Sequence, residues 1–213
     1  DIGFMMFFFF FQRMRVCSDT TCNEVIVNSA KSLASRYSPK TGCIRSWKPV
    51  PDKGWDFVVI IDNMMNLELL TQAHKLGGPD SLLNVAVTHA NTTMKNHFRP
   101  DYTTWHVVDY DPETGDVRMK QTAQGYSDDS AWGRGQAWAV YGYTMMYREV
   151  GDEAYLAQAE NIARMIMKHL PEDGVPYWDF NAPDIPDSYR DASAGAIIAS
   201  AFIELASHTK DAA

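Results

Sequence analysis

The chain has 213 residues, of which 46% are hydrophobic, and this length and composition suit one globular domain or a large part of one. A formal net charge of −8, without any run of basic residues, argues against nucleic acid or an anionic membrane as a partner. Cys17, Cys22 and Cys43 lack paired CxxC spacing, so they indicate neither a disulfide framework nor a zinc site, and they favour the cytoplasm while leaving the periplasm open.

The chain opens with DIGFMMFFFFFQRMR, in which ten apolar or glycine residues separate Asp1 from Gln12. A membrane-spanning helix needs about 20 apolar residues, so this stretch is too short to span. A secretory signal would place positive charge before the apolar run, whereas here Arg13 and Arg15 follow it. We interpret the stretch as a buried helix, with Asp1 at a cut edge of a longer protein.

Helical periodicity dominates the remainder of the chain. It predicts helices at about 2–16, 20–37, 62–76, 80–98, 131–149, 152–170 and 192–207. Strand-like alternation is scarce, and its best example is WHVVDYDPETGDVRMK, where Pro112 and Gly115 bracket a turn. The pattern therefore predicts an all-α domain with one short β-hairpin.

A repeat connects two of the predicted helices. Gly78, Leu83, Ala86, Ala90, Met94 and Lys95 recur 73 residues later as Gly151, Leu156, Ala159, Ala163, Met167 and Lys168. Each copy follows a helix that ends in KLGG or EVGD, a short connection that folds one helix back on its neighbour. Repeated helical hairpins form an open solenoid or a closed barrel.

The two helices of each hairpin differ in character. The second helices, such as DEAYLAQAENIARMIMKHL, are amphipathic and suit an outer layer. The first helices, such as AWGRGQAWAVYGYTMMY and DASAGAIIASAFIELAS, are small or apolar nearly all round, which predicts burial on most sides. This difference favours a barrel with an inner and an outer ring.

Polar residues gather at the predicted starts of the inner helices, namely at Asp1, Asp62, residues 127–134 and Asp191. Inner helices that enter the ring in the same direction place their N-termini at one mouth, so we expect these segments to converge on one site. A second interpretation exists for each acid, because Asp is a favoured N-cap that accepts hydrogen bonds from free backbone amides.

Asp62 follows four branched apolar residues in VVIIDNMMNLELL, which predicts low solvent access. A helix dipole there would favour the ionised form by about 0.3–1 kcal/mol, less than one pKa unit. Burial or a neighbouring carboxylate can raise a pKa by several units. If burial outweighs the dipole, Asp62 retains a proton near neutral pH and suits general acid/base chemistry.

Tryptophans lie beside polar residues in predicted loops and helix starts, at Trp47, Trp105, Trp132 and Trp138, and His106 follows Trp105. Ring faces with interspersed polar groups suit sugar binding, although a single tryptophan is more often part of a core and a lone histidine more often structural. GRGQAW lacks the third glycine of a dinucleotide site, and the histidines show no HExxH spacing. The tryptophans and their polar neighbours therefore predict a carbohydrate-binding site.

Several motifs, taken in order, resemble the unsaturated glucuronyl hydrolases of glycoside hydrolase family 88. They are DIGFM, SWKP, VIIDNMMNLELL, TWHVVDYDPETG, QGYSDDSAWGRGQAWAVYGY and SYRDASAGAIIASA, and together they cover almost the whole chain. The resemblance implies an (α/α)6 barrel of twelve helices, of which residues 1–213 supply about seven as one catalytic domain that lacks helices at both ends. It also implies substrates that carry a non-reducing 4,5-unsaturated uronic acid.

The resemblance also implies roles for individual residues. Asp62 would protonate C4 of the unsaturated sugar and then accept a proton from water attacking C5, and Asp1 would be the second essential carboxylate. The positions implied to contact the sugar are Trp47, His106, Gln124, Trp132, Arg134 and Trp138. No metal or organic cofactor is implied.

Two other functions stay open. One is the related hydrolase that acts on unsaturated galacturonyl-rhamnose from pectin, although the RGQAWA run favours the first reading. The other is a non-catalytic, carbohydrate-binding helical-repeat protein. Because seven helices of an open barrel leave inner faces uncovered, we also expect the chain as written to be poorly soluble or to self-associate, with an oligomeric state that the sequence does not indicate.

Overall fold

The computed structural model describes residues 2–17 and 21–209, and Asp1 lies outside these described residues. The first helical rod joins three segments without a break. They are α1 (Ile2–Met6), a π-helical turn (Phe7–Phe11) and α2 (Gln12–Cys17). Phe10 and Phe11 pack against the core, whereas Phe9 is 64% exposed. The predicted first helix is confirmed, and the phenylalanine run is its wide π turn.

The other six predicted helices are also present. They are α3 (Cys22–Ala34), α4 (Leu67–Lys75), α5 (Asp80–Asn96), α6 (Gly133–Val150), α7 (Glu153–His169) and α8 (Ala192–His208). Two helix boundaries differ from those that the hydrophobic periodicity predicts. A 3₁₀-helical segment, Ile61–Asn66, takes the place of the predicted first turns of α4, and α3 ends early because the chain turns into a strand at Tyr37.

Two small sheets lie between the helices. β1 (Tyr37–Ser38) pairs with β2 (Cys43–Ile44), and β3 (Phe57–Ile60), β4 (Val107–Tyr110) and β5 (Val117–Gln121) form an antiparallel sheet in the order β3-β4-β5. The predicted hairpin is β4 and β5. Alternation could not reveal β3, because all four of its residues are buried and none alternates with a polar one.

The helices form two layers, as predicted. The inner layer runs α1, α4, α6 and α8 in order of packing, and α3, α5 and α7 lie outside it. Within the repeat, Ala86, Ala90 and Ala159 are fully buried, so small side chains let the outer helices approach the inner ones. This is the arrangement of an incomplete (α/α)6 barrel.

One expectation about the inner helices is wrong. The uniformly apolar sequence of α8 predicts burial on most sides, yet its buried residues form one stripe: Ala194, Ile198, Ala201 and Leu205. Ile203, which lies off this stripe, is 77% exposed. The described residues cover α8 on only one face, where α6 and α7 pack against it. Among the described residues, no helix, α8 included, is long and apolar enough to cross a membrane.

Candidate active site

Asp62 is the second residue of the short 3₁₀ segment that links β3 to α4. The backbone N–H of Ile61 donates to the carbonyl of His106 at 3.0 Å, so the end of β3 holds Asp62 beside the start of β4. The side chain is buried, with 8% of the residue exposed. Burial raises the pKa of Asp62 from 3.8 to about 7, against the opposing field of Arg134. The carboxyl group can therefore carry a proton near neutral pH, as its sequence context suggested.

His106 lies beside Asp62 with a defined protonation state. Its Nδ1 accepts hydrogen bonds from the backbone N–H groups of Ala123 at 3.1 Å and Gln124 at 3.3 Å. An accepting Nδ1 places the ring proton on Nε2. Burial lowers the pKa of His106 to about 3, so the ring is neutral at physiological pH.

A gap separates these two side chains. Nε2 of His106 lies 3.7 Å from Oδ2 of Asp62, which is too long for a hydrogen bond. Both atoms are buried and have no hydrogen-bond partner among the described residues. Buried polar atoms without partners are costly, so the pair is suited to share an oxygen atom of a ligand.

The starts of α6 and α8 meet at Arg134. Its Nε and Nη2 donate to Oδ2 of Asp191 at 3.1 and 2.9 Å. The other oxygen of Asp191 accepts the backbone N–H of Ala194 at 2.8 Å and so caps α8. Asp191 is therefore both the N-cap that its position predicted and the anchor that orients Arg134 toward the site.

Aromatic side chains form a wall beside the gap between Asp62 and His106. The rings of Trp132 and His106 have centroids 4.4 Å apart, and the Arg134 guanidinium lies 5.0 Å from the Trp132 centroid. Trp47 meets the edge of the His106 ring at 6.3 Å and stacks on Trp55 at 5.8 Å. Because Trp132 is only 3% exposed, it supports His106 and Arg134 from behind, whereas Trp47 is partly exposed.

The remaining predicted residues make other contacts. Trp138 is partly exposed on α6, with its ring centroid 5.6 Å from that of Phe4. Gln124 reaches His106 through its backbone, and its side chain is exposed. The ring of Trp105 contacts two cations, with the Arg99 guanidinium 4.3 Å and the Lys120 ammonium 4.1 Å from its centroid. Trp47, His106, Trp132, Arg134 and the backbone of Gln124 thus lie together beside Asp62.

Sequence reasoning missed two asparagines next to Asp62. Asn63 donates to the carbonyl of Ile44 at 2.7 Å, and Asn66 donates to Oδ1 of Asn63 at 3.3 Å. Oδ1 of Asn66 accepts the backbone N–H of Phe4 at 3.1 Å, which ties the first turn of α1 to the Asp62 segment. The sequence feature that could have revealed them is their spacing in DNMMN, because residues three apart lie on the same side of a helical turn.

Sequence reasoning also missed Asp179, which orders the loop before α6. Its Oδ2 accepts the backbone N–H of Tyr126 at 2.9 Å and the hydroxyl of Ser130 at 2.7 Å. This loop carries Gln124, whose N–H holds Nδ1 of His106. Within the described residues, no group of three or more His, Cys, Asp or Glu side chains could hold a metal ion.

Comparisons with known proteins indicate the family to which the chain belongs. The sequence profile of Glycosyl Hydrolase Family 88 matches residues 3–207. The unsaturated glucuronyl hydrolase of Formosa agariphila is 51% identical over 99% of this chain and 53% of its own length. The chain therefore spans about half the length of that relative.

Two solved structures have the same fold. One is an unsaturated glucuronyl hydrolase specific for heparin, with a TM-score of 0.95 and 45% identity over 99% of this chain and 56% of its own. The other is the glycosaminoglycan-degrading unsaturated glucuronyl hydrolase of Bacillus sp. GL1, with a TM-score of 0.92 and 36% identity over 100% of this chain and 56% of its own. With the profile match over nearly all of its residues, the chain belongs to glycosyl hydrolase family 88.

Proposed function

We propose that the complete protein releases the non-reducing terminal 4,5-unsaturated uronic acid from lyase-generated oligosaccharides of the glycosaminoglycan type. The observation that carries this proposal is the buried Asp62 carboxyl, with a pKa of about 7 and a free Oδ2 that faces the neutral His106 across 3.7 Å. The names of its relatives support the same substrate class.

The proposed reaction is a hydration of the C4=C5 double bond. Protonated Asp62 donates its proton to C4, and positive charge develops at C5, where the ring oxygen shares it. The Asp62 carboxylate then accepts a proton from the water that attacks C5, so one water is consumed and the carboxyl is regenerated. The resulting hemiketal opens to a C5 ketone, and the hemiacetal left at C1 releases the remaining saccharide.

One acid/base group suffices for this chemistry. Ordinary glycosidases use two carboxylates that flank the glycosidic bond, because one must protonate the leaving group while the other acts at the anomeric carbon. In the proposed hydration, Asp62 performs both proton transfers in sequence. The second carboxylate, Asp1, is proposed to hold the sugar or to tune Asp62.

The surrounding residues are proposed to bind the sugar. Nε2–H of His106 can donate to a substrate oxygen, and Arg134, oriented by Asp191, can pair with an anionic group. We propose that the partly exposed Trp47 and Trp138 stack on sugar rings and that Gln124 donates from its exposed side chain. Trp132 is proposed to contribute mainly by supporting His106.

The test follows the ultraviolet absorbance of the C4=C5 bond in the complete protein, with unsaturated disaccharides from glycosaminoglycan lyases and from pectin lyases. We expect turnover of the glycosaminoglycan product, its loss in Asp62→Asn, and its retention in Asp184→Asn, which removes an exposed carboxylate that takes no part in the site contacts described above. Turnover of the pectin product alone would favour the rhamnogalacturonyl hydrolase. Sugar binding without turnover would support a non-catalytic binding protein instead.

We further propose a cytoplasmic location. Cys22 and Cys43 are free and buried, and burial raises the pKa of the Cys43 thiol to about 12, which keeps it unreactive. Free buried thiols suit a reducing compartment. Fractionation of the source cells tests this, and recovery with periplasmic marker enzymes would contradict it.

A further inference from the structure

A cavity of about 150 Å³ lies beside the Asp62 segment. A single ordered water needs only about 10–15 Å³ of cavity volume, so this cavity has room for a larger group. Residues on both sides of Asp62, Ile60 and Asn63, contribute to its lining. Trp47, which meets the edge of the His106 ring, lines it as well. The cavity and the candidate active site therefore share one wall.

Two arginines face each other at this cavity. In the β1–β2 hairpin Tyr37 pairs with Ile44, and the next residues outward are Arg36 and Arg45, joined by a backbone hydrogen bond of 3.0 Å from Arg45 N–H to the Arg36 carbonyl. Like charges directly opposite each other on paired strands are destabilising. Both residues nevertheless line the same cavity, and no ion pair of the described residues includes either of them.

The other polar groups at the cavity also offer donors. Nε of Arg45 is buried and has no hydrogen-bond partner among the described residues. Oγ of Ser46 accepts the backbone N–H of Ile60 at 2.9 Å, which leaves its own hydrogen for a different acceptor. No Asp or Glu is part of the described lining. Described residues that supply two guanidinium groups and a hydroxyl, and no acid, match an anionic group.

Both guanidinium groups are held in place by the fold. Nη2 of Arg36 donates to the carbonyl of Ser46, and the Arg45 guanidinium lies 6.0 Å from the ring centroid of Phe57. Arginine side chains fixed in this way lose little conformational freedom on binding an anion, and their fork of N–H groups matches an oxyanion.

We propose that Arg36 and Arg45 bind an oxyanion of the substrate, a sulfate ester or a carboxylate, in the cavity beside Asp62. This subsite rests on the proposed hydrolase function, since it is the saccharide chain that would bring the anion there. A saccharide that stacks on Trp47 could reach Asp62 with one unit and the arginine pair with an acidic group. The pair would then select acidic saccharides over neutral ones of the same length.

The first experiment measures anion binding without turnover. The complete protein is titrated with sodium sulfate, with sodium chloride at equal ionic strength as the reference, and tryptophan fluorescence reports on Trp47. We expect saturable binding of sulfate that weakens about tenfold or more in Arg45→Gln and less in Arg45→Lys. Arg164→Gln, an exposed arginine on α7, is the matched control and should bind sulfate as the unaltered protein does. Absence of saturable binding, or equal binding by Arg45→Gln with an unchanged melting temperature, would overturn the subsite.

The second experiment identifies the group that the pair holds. KM is measured with sulfated and unsulfated unsaturated disaccharides. If Arg45→Gln raises KM only for the sulfated substrate, the arginine pair binds the sulfate ester. If it raises KM for both substrates, the pair binds the carboxylate. Either result supports the proposal. Unchanged KM for both would overturn it while leaving the hydrolase function intact. Sulfate binding without any turnover would instead refute the hydrolase function and the substrate role of the subsite, since only an anion site would remain.

Discussion

Burial sets the proton chemistry of Asp62 and His106 in opposite directions. It raises the pKa of the Asp62 carboxyl to about 7 and lowers the pKa of the His106 ring to about 3. Each shift favours the neutral form, because a low-dielectric surrounding destabilises charge. At neutral pH the pair can thus hold a proton on Asp62 and another on Nε2 of His106, and only Asp62 changes charge in the range where an enzyme works.

This difference predicts the pH dependence of turnover. The proposed first step needs protonated Asp62, so kcat/KM for an unsaturated disaccharide should fall as the pH rises through about 7, by up to tenfold per pH unit. His106 should add no titration between pH 5 and 9, since it is neutral throughout. Initial rates across that range check this. A rate that instead rises with pH through 7 would contradict Asp62 as the proton donor.

The same burial predicts a cost to folding. The folded-state pKa of Asp62 lies above the unfolded value near 3.8, so its contribution to stability is full below pH 3.8 and is lost as the pH rises toward 7. Asp62→Asn removes this titration. At pH 8 the variant should be more stable than the unaltered protein by roughly 2–4 kcal/mol, at about 1.4 kcal/mol per pKa unit, and by much less at pH 4.

Urea unfolding of the complete protein at pH 4 and pH 8 measures this difference, with Asp184→Asn as the control for loss of an exposed carboxylate. A difference between Asp62→Asn and the unaltered protein that stays constant with pH would show that the carboxyl is not buried in its charged form.

At the scale of elements, the contact between α6 and the 3₁₀ segment before α4 positions the site. Gly142 of α6 lies against Met64, and a Cβ added at Gly142 would come within 2.4 Å of the Met64 Cβ. Real Cβ atoms do not approach so closely, so the two backbones can meet only because residue 142 is glycine. Met64 lies two residues after Asp62, which makes the contact relevant to the site as well as to stability.

Gly142→Ala should therefore destabilise the fold by about 1–3 kcal/mol, despite the higher helix propensity of alanine. It should also lower kcat, because the segment that carries Asp62 must shift. Gly195→Ala on α8 is the matched control, since a Cβ there would lie 3.3 Å from Cδ of Pro176 and so would need at most a small shift. Thermal unfolding and the absorbance assay measure both effects. Equal melting temperatures for the two variants would contradict the close-contact argument.

At the scale of the whole molecule, apolar surface remains open on the described chain. Ile203 on α8 is 77% exposed and Phe9 in the π turn is 64% exposed. Burial of a side chain of this kind is worth about 1.5–3 kcal/mol, and a folded chain gains that by association when its own elements leave the side chain exposed. The exposed apolar side chains on α8 and in the π turn thus explain physically why an isolated set of these helices would not stay monomeric.

The 213-residue chain should therefore self-associate at micromolar concentration, as the open set of seven predicted helices already led us to expect. Replacing Ile203 and Phe9 together by glutamine should weaken the association by about tenfold or more. Size-exclusion chromatography with light scattering measures the mass. The prediction fails if the unaltered chain runs as a monodisperse monomer that melts cooperatively.

The sequence by itself determined the helices and their layering, because both depend on local hydrophobic periodicity, and the motif around Asp62 together with His106 and Arg134 pointed to one site. The sequence did not reveal strand β3, because burial on both faces removes the alternation of apolar and polar residues by which strands are recognised.

Only the tertiary structure decided the 3.7 Å gap between His106 and Asp62, the tautomer of His106, the Asp191 anchor of Arg134 and the cavity shared by Arg36 and Trp47. The physical reason is separation along the chain. Arg134 and Asp191 are 57 residues apart, and no local pattern encodes the distance between atoms that meet only when separate helices pack.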